Sequence, residues 1–275
     1  MMDHTTGWRG KSIWCVAAFV AALSVAAQPA RSETLTIGAA HSLKPVLRDV
    51  LPIFESRHPS AKLRVVYGPS RTLREQIEQG APLDVFLPAS FDQVRHLQAR
   101  GLTIDGPPRM FARTSVVLIA SAEAVAAPVS FRSLNLKKDI IGRIAIGNPA
   151  TDALGIITAE LLSNIDPLNH LRSRIVYGHH SEIIDLVSSG EADVGIVYRV
   201  DAVNAANVRI LDEAPSGFHP PVEFGAAVVW TCRPFALPLA RQFLDFMLDP
   251  AVQRTLREHG FQPVSSGTVE TVGME

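Results

Sequence analysis

Cysteine is nearly absent: Cys15 and Cys232 are the only two in 275 residues. Cys15 lies inside an apolar run, residues 13–23, and not at its end, so it does not read as the lipid-modified cysteine of a lipoprotein. Once that leading segment is removed, Cys232 stands alone and no intramolecular disulfide can form. In an apolar stretch beside Trp230, it reads as a packed small hydrophobe and not as a nucleophile. A basic excess is missing as well. The 26 Lys and Arg against 27 Asp and Glu give a net charge of −1, which excludes the electrostatic footprint of a nucleic-acid binder. Any anion must therefore be held by local geometry and not by the overall field. After residue 23 no apolar run reaches membrane-spanning length. A Gly-x-Ser-x-Gly elbow and a convincing catalytic triad are both lacking, so an extracytoplasmic hydrolase or transferase has no visible nucleophile. Metal-ligand spacing is also lacking: His179-His180 is the one adjacent histidine pair, and no further Cys/His cluster supports it.

What is present begins with an export signal. Arg9 and Lys11 precede the apolar run, and small residues follow it, with Val25 and Ala27 at positions suited to cleavage. Residues 1–30 are thus expected to be a signal peptide and linker, leaving a soluble extracytoplasmic chain. Removing residues 1–27, with Asp3, Arg9 and Lys11, takes away a net +1 and leaves −2.

The remainder alternates strand-like and helix-like segments. Residues 35–40, 63–67, 84–87, 115–120, 143–146, 175–177, 194–198 and 224–230 read as short apolar strands. Helical spacing follows at Leu43, Val46, Leu47, Val50 and Phe54; Pro45 suits a first turn, and Pro52 is expected to kink or end that helix. Thr72-Leu73-Arg74-Glu75 fits a capping box that opens a second helix, which Gly80 closes. Further helices are expected near residues 91–100, 156–162, 182–189, 238–248 and 250–258, with a polar tail at 265–275. The alternation predicts an α/β fold with a mostly parallel sheet covered on both faces. Asp84 and Asp193 each precede a strand and read as turn or cap carboxylates, not as an acid–base pair.

Four strand-to-helix turns carry the chemistry: Ala40-His41-Ser42, Gly68-Pro69-Ser70-Arg71-Thr72, residues 148–155 and residues 178–181. Each sets a helix start beyond a strand's carboxyl end, the edge where open α/β sheets bind ligands. Helix starts present unpaired N–H groups and a positive dipole end, which favour anions. Any single Ser or Thr there is also an ordinary cap, so the turns permit anion binding without requiring it. A site offering only donors would select a fully deprotonated oxyanion.

Three segments resemble the periplasmic molybdate-binding proteins of ABC importers: Ala39-Ala40-His41-Ser42-Leu43, residues 70–86 from Ser70-Arg71-Thr72 to Asp84-Val85-Phe86, and Gly195-Ile196-Val197-Tyr198 followed by Asp201-Ala202. The resemblance spans about residues 34–264. It implies a type II periplasmic-binding fold, with two α/β lobes joined by hinge strands around a cleft. The expected lobes are 31–115 plus 223–264 and 116–222. It further implies molybdate or tungstate as ligand, no cofactor, a membrane permease as partner and a monomeric state. Carried over by position, Ser42 and Ser70 supply hydroxyl and backbone contacts, Tyr198 a phenolic hydroxyl, and Leu154 and His180 backbone N–H groups. His41, Arg71, Leu154 and His180 depart from the residues usual in that family. On the same fold, sulfate or phosphate is the alternative ligand.

Overall fold

The structure, a computed structural model, describes residues 33–124, 129–134 and 141–264; the expected signal segment and the polar tail lie outside them. Strand β1 (Glu33–Ala40) opens the fold, followed by α1 (Lys44–Arg57), β2 (Ala61–Gly68), α2 (Ser70–Glu78), β3 (Val85–Leu87), α3 (Phe91–Ala99) and the long β4 (Thr103–Thr114). The chain then builds a second sheet. Its elements are β5 (Val116–Ser121), β6 (Ile144–Gly147), α4 (Ala153–Ile165), β7 (Ile175–Gly178), α5 (Ile183–Ser188), β8 (Val194–Tyr198), α6 (Arg199–Val203) and β9 (Val208–Glu213). It returns through β10 (Val222–Val229), α7 (Leu237–Phe246), α8 (Pro250–Glu258) and β11 (Gln262–Pro263).

The first sheet has the order β11-β4-β10-β3-β1-β2 and the second β7-β6-β8-β5-β9. Both are mixed, which corrects the expectation of a mostly parallel sheet. Parallel pairing joins β1 to β2 and β3, and β6 to β7 and β8. The strands that carry the chain between sheets, β4, β5 and β10, pair antiparallel with their neighbours. Reversal follows from the connection: a strand leaving one sheet for the other does not return through a right-handed βαβ crossover.

Burial explains the order. Leu35, Ile37 and Ala39 on β1 are fully buried, and the alternate residues Thr36 and Ala40 are nearly so, as a central strand covered on both faces requires. Helix α1 packs Val46, Leu47, Val50 and Phe54 inward. Phe54 meets Phe243 and Phe246 of α7 edge-on, with centroids 5.3 and 5.1 Å apart. Pro52 does not end α1: the helix runs on to Arg57. The buried contacts of Val50 and Phe54 on either side hold the turn together despite the missing N–H.

Two further expectations change. Helix α2 opens at Ser70, two residues before Thr72, and no side-chain cap is made. Its first closed bond runs from the Leu73 N–H to the Pro69 carbonyl, so Thr72 already lies inside the first turn. Asp84 is not a surface turn carboxylate but is completely buried. Its Oδ2 accepts from the Thr36 N–H at 2.7 Å and from Arg233 Nη2 at 2.5 Å, and its Oδ1 from the Arg233 N–H and Nε–H. Asp193 does act as a turn carboxylate, accepting from the Gly142 and Arg143 N–H groups. Cys232 is buried, and burial with the nearby Asp84 charge pushes its thiol pKa up to about 12.

Candidate functional site

The carboxyl ends of β1, β2, β3, β6, β7 and β8 surround one cavity of about 360 Å³. All four chemistry-bearing turns reach it, with Ala40, His41 and Ser42 from the first and Gly68, Pro69, Ser70 and Arg71 from the second. Residues 149–153 come from the third, and His179 and His180 from the fourth. A fifth turn, Ala89-Ser90 before α3, was not singled out in the sequence. Only its serine at a helix start could have signalled it. Tyr198, at the end of β8, and Gln93, on α3, add further polar groups.

Ser42 is 8% exposed and Tyr198 4%. Each hydroxyl is enclosed, and neither has a hydrogen-bond partner among the described residues. Ser42 stands in the short 3-10 turn between β1 and α1, and Tyr198 where β8 turns into α6, so the two belong to different sheets. Burial, with the Asp152 and Asp201 charges adding to it, drives the Tyr198 pKa well above the ordinary phenol value. The group is therefore a firm donor and not a phenolate. Ser70 Oγ accepts from the Ala89 N–H at 3.0 Å, which leaves its own proton free to donate. The N–H groups in the first turn of α2 have no intrahelical partner, as at any helix start.

The second sheet's side differs from what the sequence suggests. Leu154 is fully buried and does not line the cavity. Its N–H donates to Asp152 Oδ1 at 3.0 Å, in an N-cap of α4. The His180 N–H donates to Asp152 Oδ2 at 2.7 Å, and His180 Nδ1 lies 3.1 Å from the same oxygen. Both backbone donors expected for a ligand are thus held by one carboxylate, a residue that sequence reading passed over as part of a turn. The cap forms where it does because β6 and α4 touch. A Cβ on Gly155 would lie 2.4 Å from the Asn148 carbonyl carbon, so only glycine lets the helix start this close to the strand end.

Besides Tyr198, the ionisable groups lining the cavity are His41, His179 and His180, the Arg71 guanidinium and the Asp152 carboxylate. Burial lowers the His180 pKa, but the hydrogen bond and charge of Asp152, with Asp201 behind, outweigh it and leave the ring above its ordinary value. For Asp152, burial pushes upward, while the ring bond, charge and N–H of His180 and the Leu154 N–H win and hold the carboxyl low. His41 is shifted down by burial and then by His180, His179 and Lys44. Asp201 has an enclosed, unpartnered Oδ2, and burial raises its carboxyl to about 6. Asp152, His179 and His180 place one oxygen and two ring nitrogens within 4.8 Å of one another, compact enough for a cation. The Asp152 oxygens, however, already take two backbone N–H groups and the His180 ring, and His179 Nδ1 meets Ser181 Oγ at 2.9 Å. The grouping is accounted for as a carboxylate–histidine pair beside a second histidine.

Known proteins give this site a context. The chain is 27% identical over 236 residues to the Haemophilus influenzae molybdate-binding protein ModA, covering 84% of this chain and 91% of that one. It is 26% identical over 232 residues to the Bacillus subtilis putative ABC transporter substrate-binding lipoprotein YvgL, covering 84% and 87%. Among solved structures, the substrate-binding domain of a putative molybdenum ABC transporter from Clostridium difficile superposes with a TM-score of 0.73 at 29% identity, covering 85% of this chain and all of that one. No helix among the described residues is long and apolar enough to cross a membrane. The model of the bacterial extracellular solute-binding proteins matches residues 35–262, and the chain belongs to that family.

Proposed function

We propose that the cavity captures a tetrahedral oxyanion, molybdate or tungstate, and that the loaded protein delivers it, as a monomer, to the membrane permease of an ABC importer. The observation that carries this reading is the pair of enclosed, unpartnered hydroxyls of Ser42 and Tyr198, facing one cavity from two sheets. Other buried side-chain atoms also lack partners among the described residues, but these two hydroxyls and the Gln93 amide oxygen are the ones that line the cavity, and the hydroxyls call for a ligand that accepts from both. Ser70 and the first turn of α2 add donors that suit an anion. The relatives named for molybdate support the choice of anion. The two sheets then act as lobes, 31–115 plus 223–264 and 116–222. The chain crosses between them after Thr114 and again after Glu213, and these crossings serve as the hinge.

Calorimetric titration with molybdate, tungstate, sulfate and phosphate tests the reading. Molybdate and tungstate are expected to bind, and Ser42→Ala and Tyr198→Phe to weaken each by roughly tenfold or more, the value of a hydrogen bond to a charged group, ~1.5–3 kcal/mol. A Ser42→Ala, Tyr198→Phe double variant that kept full affinity would remove this site assignment. Binding of sulfate or phosphate alone would keep the fold and change the ligand.

A further inference from the structure

We infer that His180, clamped by Asp152, is the specificity-determining charged donor of this cavity, and that the anion is bound together with a proton on the His180 ring. The inference rests on the oxyanion reading above and departs from a site built of neutral donors alone.

The geometry carries it in three steps. First, the backbone N–H groups of Leu154 and His180, which would otherwise meet the anion, are both taken by the Asp152 carboxylate at 3.0 and 2.7 Å. Something else on that side must offset the anion's charge, and a carboxylate in the lining makes the need greater. Second, His180 Nδ1 lies 3.1 Å from Asp152 Oδ2, which fixes the ring proton there in the neutral form. The remaining nitrogen, Nε2, then carries a lone pair, which an oxyanion repels. With a second proton, Nε2 becomes a charge-assisted donor and the Asp152 charge is balanced. Third, the pair is sheltered. The side chains of Asp152 and His180 are 5% and 18% exposed, and His180 still lines the cavity.

The surrounding charges give the direction. Asp152 on the start of α4 and Asp201 on α6 favour the protonated ring, with Tyr198 as a neutral neighbour. His179 and Glu182 flank it on its own segment, and His41 and Arg71 line the cavity on the first sheet's side, with the Lys44 charge acting on His41. The carboxylates prevail, so the ring holds its proton to higher pH than a free histidine. Below that point the second proton is already present. As pH rises through it, binding must draw a proton from solution, and affinity falls by up to about tenfold per pH unit.

The test is proton linkage in the unaltered protein. Molybdate is titrated between about pH 6.5 and about pH 9, where it stays a dianion, in buffers of different ionisation enthalpy. Proton uptake is expected to climb toward one per anion as pH rises, with affinity falling in step. His180→Asn, which keeps the backbone N–H, is expected to bind weakly and with a flat pH profile, and Asp152→Asn to move the profile to lower pH. Molybdate binding with no proton uptake across the range would overturn the inference while leaving the oxyanion reading in place. Zinc binding in the absence of anion, competing with molybdate, would overturn it in favour of a cation. No heat with any oxyanion at any pH would remove both.

Discussion

Arg233 and Asp84 show how a single charged residue is held where water cannot reach it. The guanidinium meets Asp84 through Nε and Nη2 and also donates to the Thr34 carbonyl at 2.5 Å. The Asp84 carboxylate bonds β1 through the Thr36 N–H and so ties the end of β10 to the strand beneath the cavity. Arg233→Ala is expected to cost about 3–5 kcal/mol in urea unfolding, because a buried carboxylate loses its counter-charge. Asp84→Asn with Arg233→Met should recover part of that loss, since both charges are then gone. Ser42 and Ser70 are singled out in the sequence by their turns and by the resemblance, Tyr198 by the resemblance alone, and all three line the cavity. Asp152 is not singled out: an Asp at a helix start reads as a cap, and it is one, yet it also holds His180, 28 residues away. Long-range pairing of that kind leaves no local pattern.

At the scale of the element, the close approach of β6 and α4 decides where the cap can form. Gly155→Ala would press a Cβ to 2.4 Å from the Asn148 carbonyl carbon and 2.6 Å from its oxygen, both backbone atoms. It is expected to destabilise by about 1–3 kcal/mol and to weaken anion binding by shifting the Asp152 cap. Gly101→Ala serves as the comparison: its φ is +68° and the space around it is open. There the loss should be in stability alone, about 1 kcal/mol. Central strands such as β1 and β8 and the amphipathic α8 were readable from apolar spacing. Strand β4 was missed, because Asp105-Gly106-Pro107-Pro108 reads as a turn. In the sheet those residues form a bulge, with Asp105 at φ +67° and Gly106 at φ +94°, where pairing to β10 slips. β9 was missed as well; its burial pattern is mixed, with only Val208 fully inside.

For the whole molecule, alternation predicted the α/β class but not the reversal of strands where the chain passes between sheets. That reversal depends on partners more than 100 residues apart, such as Arg113 and Glu223. A ligand shared by both sheets should stabilise the folded chain as a unit. At a hundredfold excess of molybdate over its dissociation constant, the gain is about 2.7 kcal/mol, roughly 5–10 °C in a thermal melt. The Ser42→Ala, Tyr198→Phe double variant should show little of this shift. Cys232 bears on how such a change could be watched. Its thiol is enclosed and remains protonated at neutral pH, so maleimide reagents will pass it by. The chain without its leading segment is thus a blank background for site-directed labelling. Cysteines introduced at exposed Arg64 and Arg172, one beside each sheet, would give a spectroscopic ruler across the cavity without first removing a native thiol.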